Sequence, residues 1–206
     1  VHVFRTATDV PVLVRRRPGA ALAHFGCFVD GGAIDESEAN GGITTIMARA
    51  ALRGTARRSA SRLAEDAELL GGTPSASAGA ESMQWSIGVP GRQFAAAAEL
   101  LADLVLAPVF PEDGIEAERA VAKAALAQLR DDMYRQPMRL AASAAWPGHP
   151  YGRSTLGSEE SIAALTRDGV ARWHADQVPT SAALLAAVGD FDPQDAADIL
   201  SKRFAG

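Results

Sequence analysis

Two short apolar runs open the chain and predict the first strands of a sheet. Residues 10–14 and 23–30 are mainly apolar, and Pro18 and Gly19 mark a turn between them. We expect these two strands to be neighbours in the sheet. Gly31 and Gly32 end the second strand.

Residues 42–53 repeat their apolar side chains with the period of an α-helix. The apolar stripe consists of Ile43, Ile46, Met47, Ala50 and Ala51. The other face is predicted to carry Thr44, Thr45, Ala48 and Arg49. A second helix is expected to end at Leu70, with Gly71 as its C-cap.

The pattern changes to alternation over residues 73–89, which predicts a β-hairpin. Its first strand is polar, and Gly79 marks the turn into a mixed second strand. Pro74 suits a sheet edge, because an edge strand needs no partner for one row of its N–H groups. We therefore expect the strand Ser75, Ala76, Ser77 and Ala78 at an edge.

The remaining pattern does not form regular βαβ units. Predicted helices cover residues 93–106, 112–135, 138–146, 167–177 and 193–204, and a buried strand covers residues 181–190. Pro137 is expected to end the long helix, Thr166 to cap the fourth helix, and Pro193 to begin the last. This order predicts an α+β fold with a mixed, largely antiparallel sheet and helices packed on one face.

Composition narrows the class of protein. The chain has 206 residues, 48% hydrophobic and 22% charged, which fits one soluble globular domain or two small ones that share a core. Its net charge of −5 is dispersed, so neither nucleic acid nor a membrane surface is an expected partner. No apolar run is long enough to predict a membrane span. Small molecules and proteins remain as partners.

The first residue is Val1 rather than methionine, so we expect a segment of something longer. The sequence does not specify the compartment. The expectation is a soluble protein of the bacterial cytoplasm or periplasm.

Residue chemistry alone predicts no active site. The single cysteine, Cys27, is expected to be a buried thiol. The four histidines, His2, His24, His149 and His174, have no spacing typical of a zinc site. No phosphate loop, dinucleotide motif or nucleophile elbow is present, and the three tryptophans are expected to pack in the core or at interfaces.

The segment GITTIMARAALRGT, residues 42–55, resembles the inverted zinc-binding helix of the pitrilysin/insulinase family of metallopeptidases, which includes mitochondrial processing peptidase. That helix reads G-(L/I)-x-H-x-x-E-H, then a short apolar segment and K/R-G-T. The matching positions are Gly42, Ile43, Arg53, Gly54 and Thr55. The strand before it, the hairpin, the long helix and the closing loop, helix and strand resemble the same family in order.

The resemblance also implies where the zinc site would be. The two histidine ligands fall on Thr45 and Arg49, the general-base glutamate on Ala48, and the third ligand on Ala125. A hydroxyl, two methyl groups and a permanent cation do not hold a divalent ion. We therefore expect no metal and no catalytic residue in this chain, with zinc only in an active partner.

Arg49 has two alternative placements. One is a pair with Glu118, which lies two helical turns before Ala125 on about the same face of the long helix. The other is a side chain that points to solvent.

In the family that the chain resembles, homologous halves of about this size and of the same fold enclose a peptide-holding chamber. Residues 1–206 would then form one peptidase-like half-domain that pairs with a zinc-bearing half, on the same polypeptide or another. Two alternatives stay open: a zinc peptidase with other ligands, and a structural subunit such as those of respiratory complexes. The edge strand Ser75–Ala78 is predicted to bind an extended peptide, or else to be covered by a neighbouring domain.

Overall fold

The computed structural model describes residues 1–204. One six-stranded sheet runs through the molecule, in the order β1-β2-β6-β3-β5-β4. The strands are β1 (His2–Arg5), β2 (Pro11–Arg16), β3 (Leu22–Asp30), β4 (Ser75–Ala78), β5 (Ser82–Pro90) and β6 (Ala183–Gly189). Within residues 1–204, β2 and β6 are the only parallel neighbours and all other neighbours are antiparallel, so the predicted fold class is confirmed.

The helices connect and cover these strands. They are α1 (Ile43–Ala50), α2 (Ala60–Leu70), α3 (Phe94–Leu106), α4 (Glu112–Asp131), α5 (Arg135–Ala145), α6 (Glu159–Ala164), α7 (Arg167–Gln177) and α8 (Pro193–Arg203). Short 3₁₀ turns cover Ala51–Arg53, Gly91–Gln93 and Pro150–Gly152. Within residues 1–204, no helix has both the length and the apolar character needed to cross a membrane.

The expectation that the first two predicted strands are neighbours is wrong. Strand β6 lies between β2 and β3, so that Ala187 faces Val14 on one side and Phe25 on the other. Local sequence records that a segment is extended, but not which distant segment will pair with it. The short strand β1, which pairs with β2, was also missed because most of its positions are exposed.

The hydrophobic core lies between one face of the sheet and the helices. Alternate residues of β3 and β5 are buried against the helices, and Phe25 meets Phe94 of α3 edge to face. Cys27 belongs to this layer, as predicted, and burial raises the pKa of its thiol to about 12. Trp85 is fully buried, whereas Trp146 is 49% exposed and lies outside the core.

The predicted break at Pro137 is wrong in position. Helix α4 already ends at Asp131, and Pro137 lies in the first turn of α5, where N–H groups have no partner within the helix. The Asp132 carboxylate accepts hydrogen bonds from the N–H groups of Tyr134 and Arg135, at 2.9 and 2.7 Å. This carboxylate, rather than the proline, marks the junction between the two helices.

Three other predicted helix ends are confirmed. Gly71 ends α2 in the left-handed region, with φ of 70°. The Thr166 hydroxyl accepts from the N–H of Gly169 at the start of α7, at 3.1 Å. Pro193 is the first residue of α8.

Candidate functional site

Helix α1 is fixed in place at its N-terminus by a buried carboxylate. Glu36 accepts hydrogen bonds from the N–H groups of Gly42 and Thr44, at 2.8 and 2.9 Å. An anion is stabilised there by the unpaired N–H groups and the helix dipole, although burial raises the pKa of the Glu36 carboxyl above its usual value. Gly42 has φ of 86°, and a Cβ there would lie 2.6 Å from the carbonyl oxygen of Leu156, so only glycine fits.

The predicted apolar stripe of α1 is buried, but the opposite face, predicted to carry Thr44, Thr45, Ala48 and Arg49, is largely buried as well. Ala48 is 0% exposed, and its carbonyl oxygen accepts a hydrogen bond from Nε1 of Trp85 at 2.9 Å. The Thr44 hydroxyl accepts from Nε1 of Trp173 on α7, at 3.1 Å. Only Thr45 and Arg49, one turn apart, keep partial exposure on this side of the helix.

The long helix α4 crosses α1 in the antiparallel direction. Arg53, just after α1, lies against Gly114 in the first turn of α4. Arg49, one turn before Arg53, reaches Glu118, which is one turn after Gly114 on α4. One turn further along each helix, Thr45 lies about level with Ala122, and half-buried Ala125 follows one turn later on α4. The positions singled out in the sequence therefore lie along one helix crossing.

The hypothesis that Arg49 pairs with Glu118 is confirmed, and the alternative of a solvent-pointing side chain is wrong. Nε of Arg49 donates to Oε2 of Glu118 at 2.7 Å. Arg53 donates to Oε1 from Nε and Nη2, at 3.0 and 2.6 Å. The Glu118 side chain is only 4% exposed, so two guanidinium groups compensate an enclosed carboxylate.

Arg53 was missed as a member of this group. It occupies the basic position of the K/R-G-T segment, where it was recognised only as a match to the family pattern. Its spacing of four residues from Arg49 was the available signal, because side chains at i and i+4 share one face of a helix. We call Arg49, Glu118 and Arg53 the Arg–Glu–Arg cluster.

The residues at the helix crossing do not fit zinc. The Thr45 hydroxyl donates to the carbonyl oxygen of Thr155 at 2.9 Å, while Ala48 and Ala125 offer only methyl groups. The nearby Glu118 carboxylate is already bound by two cations that would repel a divalent ion. Across residues 1–204, no group of three or more His, Cys, Asp or Glu side chains is arranged to hold a metal.

The histidines are dispersed through the described structure. His24 is exposed on β3, and Nδ1 of His149 accepts from the N–H of Tyr151 at 3.2 Å. His174 is buried on α7, with Nε2 2.8 Å from the carbonyl oxygen of Val105. Burial lowers the pKa of His174, so the neutral ring with its proton on Nε2 is the favoured form.

An open cleft of about 600 Å³ joins the Arg–Glu–Arg cluster to the predicted peptide-binding strand. One wall is the face of α2 that contains Leu63 and Ala67, and the other includes Ser75 and Ala76 of β4. Strand β4 is the last strand of the sheet and pairs only with β5, so the predicted edge position is confirmed. Its other backbone edge has no strand partner within residues 1–204.

A comparison with known protein families identifies the chain. The model of the family described as Insulinase (Peptidase family M16) matches residues 11–159. The chain belongs to this family. The resemblance of the sequence to the pitrilysin/insulinase family is thereby confirmed.

Individual relatives are distant in sequence. An uncharacterized zinc protease of Mycobacterium tuberculosis is 26% identical over 187 residues, which cover 91% of this chain and 43% of that protein. The mitochondrial-processing peptidase subunit alpha of Solanum tuberosum is 29% identical over 167 residues, 81% of this chain and 33% of that protein. The chain thus spans less than half the length of these curated relatives.

A solved structure confirms the fold. The peptidase M16 inactive domain from Pseudomonas fluorescens superposes with a TM-score of 0.89 at 20% identity, over 100% of this chain and 50% of that one. An M16 domain architecture is therefore shown for this chain, independently of its chemistry.

Proposed function

We propose that this chain is a noncatalytic domain of an M16 peptidase assembly. In this proposal it pairs with a zinc-bearing homologous half, on the same polypeptide or another, and supplies part of the wall of a peptide-degrading chamber. The observation that carries the proposal is the Arg–Glu–Arg cluster beside the helix crossing where the family resemblance would place zinc.

The chemistry of the crossing supports the noncatalytic part of the proposal. A catalytic zinc needs three protein ligands and one open position, with a nearby base to handle the proton of the attacking water. Thr45 donates its hydroxyl to a carbonyl group, and the two alanine positions have no donor atom. Arg49 cannot serve as a ligand or base, because its guanidinium stays protonated.

The cleft supports the peptide-holding part. An extended peptide can add to the free edge of β4 through main-chain hydrogen bonds. The α2 wall offers apolar contacts from Leu63 and Ala67, and the cluster offers polar ones at the same cleft. A peptide placed here would contact this domain without meeting a reactive group on it.

The relatives support the proposed assembly. One structural relative is described as an M16 inactive domain, and another relative as a subunit of mitochondrial processing peptidase. The chain spans 33% of the processing peptidase subunit and 50% of the Pseudomonas fluorescens chain, so each of these relatives is long enough to contain a second half of similar size.

Proteolysis by the complete protein tests the catalytic assignment. We expect that cleavage of a quenched fluorescent peptide library requires the zinc-bearing half and stops when that half loses its HxxEH glutamate. Changing His24 and His149 to alanine in the present chain should leave the rate unchanged. Chelator-sensitive cleavage by this chain alone would instead support an enzyme with other ligands.

Hydrogen exchange tests the peptide contact. When a noncleaved peptide library binds the complete assembly, the amides of Ser75 to Ala78 should exchange more slowly. Exchange at the surface strand β1 is the internal control. If peptide slows exchange only in the partner half, this domain is a scaffold and the peptide-holding part of the proposal is wrong.

A further inference from the structure

The Arg–Glu–Arg cluster has unused hydrogen-bonding capacity directed at the cleft. Arg49 donates to Glu118 through Nε alone, and its Nη1 and Nη2 groups have no hydrogen-bond partner within residues 1–204. Nη1 of Arg53 likewise has none in this part of the chain. A guanidinium presents five N–H donors in a planar fork, so these groups can bind a second oxyanion.

The charges are distributed in favour of an anion at this end of the cleft. Glu118 is enclosed and already accepts three hydrogen bonds, whereas the Arg49 and Arg53 side chains are 42% and 44% exposed. The cluster as a whole carries a charge of +1. The water-accessible part of that charge is therefore cationic.

The one other charged side chain that lines the cleft within the described residues is Glu68, on α2. Arg53 lies near Ala60 at the start of α2, since the two also line a neighbouring cavity. Eight residues of helix separate Ala60 from Glu68, or about 12 Å. The cleft is thus positive at one end and negative at the other. About four residues of extended peptide would span the distance between the two ends.

We infer that the cleft selects peptides with a carboxylate next to Arg49 and Arg53. This inference rests on the proposed function and specifies the class of peptide that the domain holds. The backbone of the peptide adds to β4, and its carboxylate accepts a forked hydrogen bond from the free groups of Arg49. The carboxylate belongs to an Asp or Glu side chain or to the C-terminus of the peptide.

Peptide libraries tested against the complete protein can separate these cases. The probes are heptapeptide libraries with capped ends and a central Glu, Gln or Lys, and a Gln library with a free C-terminal carboxylate. Retained peptide is measured by ultrafiltration and mass spectrometry at low salt. We expect about tenfold more binding for a carboxylate library than for the capped Gln library, as for a charge-assisted hydrogen bond, and less for Lys.

Variants locate the preference. Arg49→Gln should remove it, because the change deletes the forked pair of donors and leaves only the single Nη1 group of Arg53. Arg49→Lys should keep part of it. Arg92→Gln is the matched control for net charge, since Arg92 is exposed and has no ion pair within residues 1–204. Circular dichroism checks that each variant is folded.

The outcomes separate this inference from the proposed function. A preference for one carboxylate library that Arg49→Gln abolishes supports the inference and identifies the source of the carboxylate. Equal binding of the capped Glu, capped Gln and free-carboxylate libraries, or a preference that survives in Arg49→Gln, overturns it but leaves a peptide-holding domain. If no library is retained, the peptide-holding role fails together with the inference.

Discussion

The Arg–Glu–Arg cluster makes an asymmetric prediction about stability. We compare three changes: Glu118→Gln, the double change Arg49→Met with Arg53→Met, and the triple change that adds Glu118→Leu. Each removes the same ion pairs, but each leaves a different group uncompensated. The structure predicts that the double variant is the least stable of the three.

The magnitudes follow from burial. Without its two partners, the Glu118 carboxylate is an unpaired charge at 4% exposure, which costs about 3–5 kcal/mol. Glu118→Gln leaves two arginines without their ion-pair partner, but these side chains are already 42% and 44% exposed and can be hydrated instead. We therefore expect the free energy of unfolding to fall by about 1–2 kcal/mol. The triple variant should lie within about 1 kcal/mol of the wild type, since apolar replacements of a buried ion pair are often neutral.

Urea unfolding followed by circular dichroism at pH 7 gives the free energies of unfolding, provided that the slope with urea is unchanged among the variants. Arg57→Met is the matched control. Arg57 is 69% exposed and its carboxylate partners are 3.5 and 3.9 Å away, so the change should cost less than about 1 kcal/mol. If the double variant is as stable as Glu118→Gln, the carboxylate does not depend on the arginines and the reasoning is refuted.

Three further predictions concern single residues. The Cys27 thiol should not react with a thiol reagent at pH 8 until the protein unfolds, because its pKa is raised to about 12; reaction at the rate of a free thiol would contradict its burial. Burial lowers the pKa of His174, so that as the pH falls this histidine takes up a proton in the unfolded chain before it does so in the folded one. Stability should therefore fall as the pH drops below about 6.5. In His174→Gln, this part of the pH dependence of urea unfolding should disappear. Gly114→Ala should cost about 1–3 kcal/mol, since its Cβ would lie 2.9 Å from Cβ of Arg53, whereas Gly91→Ala meets no atom within 4 Å and should change thermal stability little.

Local patterns predicted most of the elements and one contact of the site. The periodicity of residues 42–53, the alternation of residues 73–89 and the caps at Gly71 and Thr166 are all short-range signals, and the structure agrees with them. The Arg49 to Glu118 contact was one of two placements that the family frame left open, and the structure selects it.

The errors share a different physical origin. The insertion of β6 between β2 and β3 depends on pairing across more than 150 residues, which no local pattern encodes. The burial of Thr44 and Ala48 depends on Trp173 and Trp85, which come from distant elements. Helix periodicity identifies one buried face, but it does not predict that a second layer will cover the other.

The central claim is that the crossing of α1 and α4 does not hold zinc. The most direct test is anomalous diffraction at the zinc edge from crystals of the complete protein grown with zinc. A zinc-bearing partner half in the same crystal would give the positive control peak. The account predicts no peak within bonding distance of Thr45, Arg49 or Ala125, and a fully occupied peak between α1 and α4 would contradict it.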